Sequence, residues 1–178
     1  MAGPAGRLIA LALAGVAAGA GAVAAVDPVQ ALAGRYSHGF RNGFVDGSSY
    51  RSEDIAEIVP VDATHAYVRF DLAFYNGHSC SLAGIAARQG DALVYQGLPG
   101  DTFDEGWPPC RLTIRRDGAR LVWNDDGTCK AHCGARGSFL HGDLPWASKR
   151  PIRYLPRLRR SVEYRNALFE WRTGKPAQ

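Results

Sequence analysis

The stretch CKAHCGARGSF, Cys129 to Phe139, places two cysteines and a histidine within five residues, followed by Gly134, Arg136 and Gly137. Three chemistries use such a set. A structural zinc site takes four ligands, usually as two separated pairs. Cys129, His132 and Cys133 supply three, and only Cys80 and His78 offer recruits from elsewhere. A redox-active thiol pair owes its low pKa to a Cys-x-x-Cys spacing at a helix N-terminus. Here three residues separate the cysteines, and strand-forming sequence follows them. The third use is a disulfide that staples a corner leading into the last strand. We expect the staple, with no metal and no cofactor. Arg136 is the polar residue to watch there, either bonding carbonyls at the barrel end or holding an anionic group.

The start of the chain bears on that choice. Arg7 precedes an apolar run from Leu8 to about Ala25, with a small-residue site at Ala22-Val23-Ala24 and then Asp27-Pro28. This is the pattern of a secretory signal, with cleavage expected after Ala24. An uncleaved anchor is the alternative, since the run only just reaches spanning length. No cysteine lies near the site, which excludes a lipid-anchored lipoprotein. Outside the cytosol disulfides form and persist. The four cysteines, Cys80, Cys110, Cys129 and Cys133, make an even set. Of the three possible pairings, Cys80–Cys110 with Cys129–Cys133 joins neighbouring segments. The first would close a loop of about thirty residues, worth roughly 3–4 kcal/mol. The expected location is periplasmic or secreted, with no transmembrane span after signal cleavage.

No other residues form a catalytic pattern. The five histidines sit in no triad-like arrangement, and there is no Gly-x-Ser-x-Gly elbow, His-Glu-x-x-His pair or phosphate loop. Asp101, Asp104 and Glu105, and again Asp125 and Asp126, lie beside Gly and Pro and read as solvated turn residues. His38 shares an apolar face with Tyr36 and Phe40, where it would be a bonded core residue or line a ligand cavity. Nucleic acid is a poor fit, and no nucleic-acid partner is expected: the basic residues fall mostly in one segment, without a basic-aromatic stacking motif on strands.

The elements that must position these residues are mostly strands. In THAYVRFDLAFYNG, residues Ala66, Val68, Phe70, Leu72 and Phe74 share one face and Tyr67, Arg69, Asp71 and Tyr75 the other, a period of two. Gln89-Gly90-Asp91 and Asp117-Gly118 mark hairpins. Strands are expected to begin near Arg35, Ile55, Tyr67, Cys80, Leu93, Arg111, Leu121 and Ala135. The fold class is all-β, an antiparallel barrel or meander of about eight strands with one C-terminal amphipathic α-helix. Residues 1–24 form the leader, 25–144 the barrel and 145–178 the basic tail.

The tail carries nine Lys/Arg between Lys149 and Lys175 against Glu163 and Glu170, in a chain of net charge +4. The remainder of the mature chain is therefore acidic. A helix from about Pro156 to Trp171 is expected to lay Leu158, Val162, Leu168 and Trp171 on the barrel. Arg159 and Arg160 would then face water or an acidic partner such as headgroups or cell-wall polyanion.

The Gly34-Arg35-Tyr36 opening, the meander of short strands, the four cysteines and CGARGSF together resemble small exported bacterial β-barrels of the broad lysozyme-inhibitor and lipocalin-like group. DGSSYRS resembles the Ser-Gly-x-x-Tyr loop that periplasmic lysozyme inhibitors insert into their target, with Gly47 and Ser48 in exchanged order. The resemblance points to Ser49 and Tyr50 as binding residues. The expected function is an exported, non-catalytic binding or inhibitor-type module of the cell envelope. Its partner would be an unknown protein or an anionic envelope component. The alternatives are a lipocalin-like carrier, with Tyr36, His38, Phe70 and Phe74 lining a cavity, and an enzyme of unrecognised class.

Overall fold

Alternating apolar residues separated by tight turns organise the chain into eight strands, seen in a computed structural model that describes Met1, Gly3 and residues 27–177. The expected leader, apart from Met1 and Gly3, and its cleavage site lie outside the described residues. A short helix, α1 (Pro28–Ala31), precedes β1 (Gly34–Gly43), β2 (Ser49–Pro60), β3 (His65–Ala73) and β4 (Ser79–Gln89). Then follow β5 (Ala92–Gln96), β6 (Arg111–Asp117), β7 (Arg120–Asn124) and β8 (Gly142–Pro145). Each strand pairs antiparallel with the next, so the sheet order is the sequence order. Beyond β8 the chain closes back on β1. Arg35 and Arg150 exchange backbone hydrogen bonds of 2.9 and 2.8 Å, and the Ser37 amide donates to Ser148 Oγ at 3.2 Å. The barrel is thus nearly closed, which leaves little open strand edge.

Side chains fill the interior. Tyr36, Phe70, Leu82, Leu112, Phe139 and Leu144 are fully buried in one cluster. Phe70 sits 5.0 Å from the Trp123 ring and 5.9 Å from Phe139. A carrier needs a lumen, whereas Tyr36 and Phe70 are packed into this core and Phe74 packs against it. His38 does not line an interior either. It lies on the same face as Tyr36, but β2 pairs with β3 only from Ile55 onward. Residues 38–54 therefore form a two-stranded arm that runs past the packed core, and His38 is exposed there, 5.8 Å from Phe40.

The eighth strand begins at Gly142, not near Ala135. Residues 129–140 are instead drawn into an irregular loop by the disulfides. These join Cys80 to Cys133 and Cys110 to Cys129, which corrects the expected pairing. The β6–β7 hairpin turns at Gly118-Ala119, with Asp117 opposite Arg120, and pairs Thr113 with Asn124. Continued outward, that register brings Cys110 to the neighbourhood of Cys129. Cys133 meets Cys80 because its backbone bridges the start of β4, where the Gly134 amide donates to the Ser79 carbonyl at 2.8 Å. Gly137 is required there, since a Cβ would lie 2.6 Å from Cys80 Sγ.

The tail is two helices, not one: α2 (Leu155–Leu158) and α3 (Val162–Thr173). Ser161 interrupts them and caps α3, its Oγ accepting from the Tyr164 amide at 3.2 Å. The break resets the helical phase. The buried face therefore carries Leu158, Tyr164 and Ala167, with Leu168 partly covered, against Val59, Tyr67 and Ile85. Val162, expected inside, is 58% exposed, and Trp171 is 38% exposed at the edge of the contact. The helix explains why Tyr67, on the outer face of β3, is buried: it packs 4.8 Å from Tyr164.

Candidate binding surface

The β1–β2 loop and the β3–β4 connection meet at one end of the barrel. Phe44 to Ser48 close a tight turn in which Asp46 Oδ1 accepts from the Ser48 amide and hydroxyl, at 2.9 and 2.7 Å. Gly47 takes φ +84°, a left-handed conformation that suits glycine. The facing 3-10 turn, Tyr75–Gly77, is tied to this loop by side chains. Tyr75 Oη donates to the Phe44 carbonyl at 3.0 Å. Tyr50 Oη donates to the Phe74 carbonyl at 3.3 Å and accepts from the Gly77 amide at 2.9 Å. Asn42, buried, donates to the same Phe74 carbonyl at 2.9 Å.

These bonds fix aromatic rings that remain open to solvent. Phe44, Val45 and Tyr75 are 39%, 70% and 43% exposed, and Phe44 packs 4.3 Å from the Tyr50 ring. Arg136 stands beside them, its guanidinium carbon 5.7 Å from the Tyr75 ring centre. Its loop is held from two sides. The Cys80–Cys133 disulfide anchors it to β4, and Lys130 Nζ donates to the carbonyls of Gly134, Ala135 and Gly137 at 2.9, 3.0 and 3.0 Å. The surface is therefore aromatic, carries Arg136, and is held in place by hydrogen bonds within the protein.

Of the expected site residues, the structure brings Tyr50 and Arg136 together through Tyr75. Ser49 lies on the same arm, its hydroxyl accepting from Arg41 at 3.2 Å. His38 is farther down the arm. Arg159 and Arg160 lie in the exposed turn between α2 and α3, apart from this end. Sequence reasoning missed Phe44, Tyr75 and Lys130. For Phe44 and Tyr75 the signal was present as aromatics at the two turns NGFVDGSS and FYNG; Lys130 carries no such signal.

A second group lies in a cleft of about 490 Å³ beside α3. His132 Nε2 is 3.0 Å from Asp101 Oδ2, and Tyr95 Oη donates to the same oxygen at 3.4 Å. Asp101 is thus a bonded residue and not a solvated one. Asp125 needs the same correction: it is buried and accepts from the amides of Cys129 and Gly127 at 2.8 and 3.1 Å. No serine, threonine or thiol is hydrogen-bonded to His132 among the described residues, and no His/Cys/Asp/Glu group there could hold a metal ion.

The His132 hydrogen bond, with burial opposing it, holds the Asp101 carboxyl below its ordinary value of 3.8. A depressed carboxylate stabilises the fold above its unfolded pKa and loses that contribution as pH falls through the folded value. Asp101→Asn is therefore expected to cost roughly 1 kcal/mol at pH 7, with the difference from wild type shrinking below pH 3.8. Urea unfolding at pH 7 and at about pH 3 measures both. No protein-family model, curated protein or solved structure matches this chain.

Proposed function

We propose that this protein is an exported, non-catalytic binding module of the bacterial cell envelope, of inhibitor type, and that it engages a protein partner through the Phe44–Tyr75–Arg136 end of the barrel. The observation that carries this reading is the set of tyrosine hydroxyl bonds that locks two loops while leaving their aromatic faces exposed. Exposed aromatics and arginine dominate binding energy at protein interfaces. Rings already held in place lose little entropy on association. The filled interior supports the reading by moving ligand recognition to the outside. The two disulfides suit an oxidising compartment. No helix among the described residues is long and apolar enough to cross a membrane.

Tyr75→Ala with Arg136→Ala tests the reading. Both side chains are exposed, so the melting temperature is expected to change little. Affinity for a partner recovered from the envelope is expected to fall by about 100-fold or more, the scale of losing two interface anchors. Undiminished binding by the double variant would defeat the reading.

A further inference from the structure

We infer that a second cleft, between the outer wall of β1–β3 and residues 150–157, is a binding site for a phosphate monoester carried on a small organic body. It is independent of the loop end. The cleft has a volume of about 710 Å³, and five arginines line it: Arg35, Arg69, Arg150, Arg153 and Arg157. Among the described residues, the only carboxylate in its lining is Glu57.

The register of the sheet builds its floor. Glu57 on β2 lies opposite Arg35 on β1 and opposite Arg69 on β3, so an arginine flanks it on each side. Residues 150–157 cross over this row. Glu57 is therefore 1% exposed although it sits on the outer face of the barrel. Its carboxylate accepts from the Tyr154 hydroxyl and from Arg69 at 3.4 Å. That bonding fixes the covering segment to the wall and uses the acceptor capacity of Glu57.

The guanidiniums are unequally compensated. Arg35 pairs with Glu53 at 3.1 Å, and Arg69 with Asp71 at 2.6 Å. Among the described residues the Arg150 guanidinium donates to the carbonyls of Ala147 and Lys149, at 2.8 and 2.7 Å, and to no carboxylate. Arg153 and Arg157 form no ion pair with a carboxylate among the described residues, and Arg157 stacks over the Tyr154 ring at 5.4 Å. Three forks without a carboxylate thus converge on one opening.

This arrangement selects the ligand by charge and shape. A guanidinium fork matches a tetrahedral oxyanion through two parallel hydrogen bonds. A phosphate monoester carries about −1.5 to −2 charges near pH 7, enough for two forks, whereas a carboxylate answers one. The cleft exceeds what a bare phosphate fills. Ile55, Pro151 and the Tyr154 ring supply an apolar wall for the rest of the molecule.

Titration calorimetry of the mature protein tests this, with glycerol 3-phosphate, acetate and phosphatidylglycerol vesicles as probes. Glycerol 3-phosphate is expected to bind saturably. Arg153→Ala with Arg157→Ala should weaken it by about 10-fold or more, the scale of losing charge-assisted hydrogen bonds. Arg153→Lys with Arg157→Lys keeps the charge and removes the forks, so it should fall between wild type and the alanine variant. That intermediate also guards against a folding artefact. Arg159→Ala with Arg160→Ala, outside the cleft, should leave binding unchanged. The inference is overturned if acetate binds as tightly, if only the vesicles bind, if no probe binds, or if the Arg159/Arg160 variant loses as much as the Arg153/Arg157 variant.

Discussion

Phe70→Ala is expected to destabilise the protein by about 3–5 kcal/mol, the range for emptying a large aromatic site in a core that cannot collapse around it. Phe70 has no solvent exposure and stands between Trp123 and Phe139. Trp123 comes from the β6–β7 hairpin. Phe139 comes from the irregular loop that follows the cysteines. Phe70 itself lies on β3, four strands from Trp123 on β7 in the sheet order. Truncation therefore removes contacts between the two halves of the meander. The neighbours are pinned: Gly142 lies so close to Trp123 that a Cβ there would fall 2.1 Å from Nε1. Phe103→Ala is the internal control. Phe103 is 49% exposed, and its truncation should change stability by less than about 0.5 kcal/mol. Denaturant midpoints of the two variants, at unchanged slope, measure the contrast.

The second large effect is expected from the long disulfide. Cys80 and Cys133 are 53 residues apart, and Cys110 and Cys129 are 19 apart. Loop-closure arithmetic gives about 4 kcal/mol for the first and about 3 kcal/mol for the second. Total stabilities of single domains are about 5–15 kcal/mol, so either loss is serious. Cys80→Ser with Cys133→Ser should cost more than Cys110→Ser with Cys129→Ser. It should also do something the other does not. The Arg136 loop hangs from Cys133, so its release should raise hydrogen exchange at residues 134–137 even under conditions where the barrel stays folded. Peptide mapping of the unreduced protein checks the premise directly. It should recover Cys80 linked to Cys133, and Cys110 linked to Cys129.

The barrel was legible in the sequence because its code is local. Period-two alternation in residues 66–74 and the Asp117-Gly118 turn specify strands and hairpins without long-range information. The cysteine pairing was less local, yet half of it was readable. Extending the hairpin about Asp117-Gly118 by a few residues already sets Cys110 near Cys129. Choosing neighbours along the chain ignored that antiparallel strands make distant positions adjacent. The other bridge depends on the chain after Cys129 folding back to β4, and no short motif records that path.

The tail shows a second limit. Its apolar residues were identified, but one helix was assumed, and the Ser161 cap changed which of them face inward. Val162 is the residue that pays the difference. Burial of Glu57 was invisible for a related reason. On its strand it alternates like a solvent-facing residue, and only the covering segment 150–157, far along the chain, takes it out of water. The loop end was partly legible. Tyr50 and Arg136 could be singled out as residue types, whereas Tyr75, which holds them together, reads in sequence as one more outward residue of β3's alternation.

Site-specific photocrosslinking tests most directly whether the loop end is where this protein meets a partner. A photoreactive residue replaces Val45, which is 70% exposed at the tip, and separately replaces Val162, which is 58% exposed on the tail helix. The two variants are irradiated in the intact envelope. One discrete protein adduct is expected from position 45, none of that mass from position 162, and loss of the adduct when Tyr75→Ala and Arg136→Ala are added. Equal labelling from both positions, or an adduct from position 45 that survives the double substitution, would contradict a partner site at the loop end.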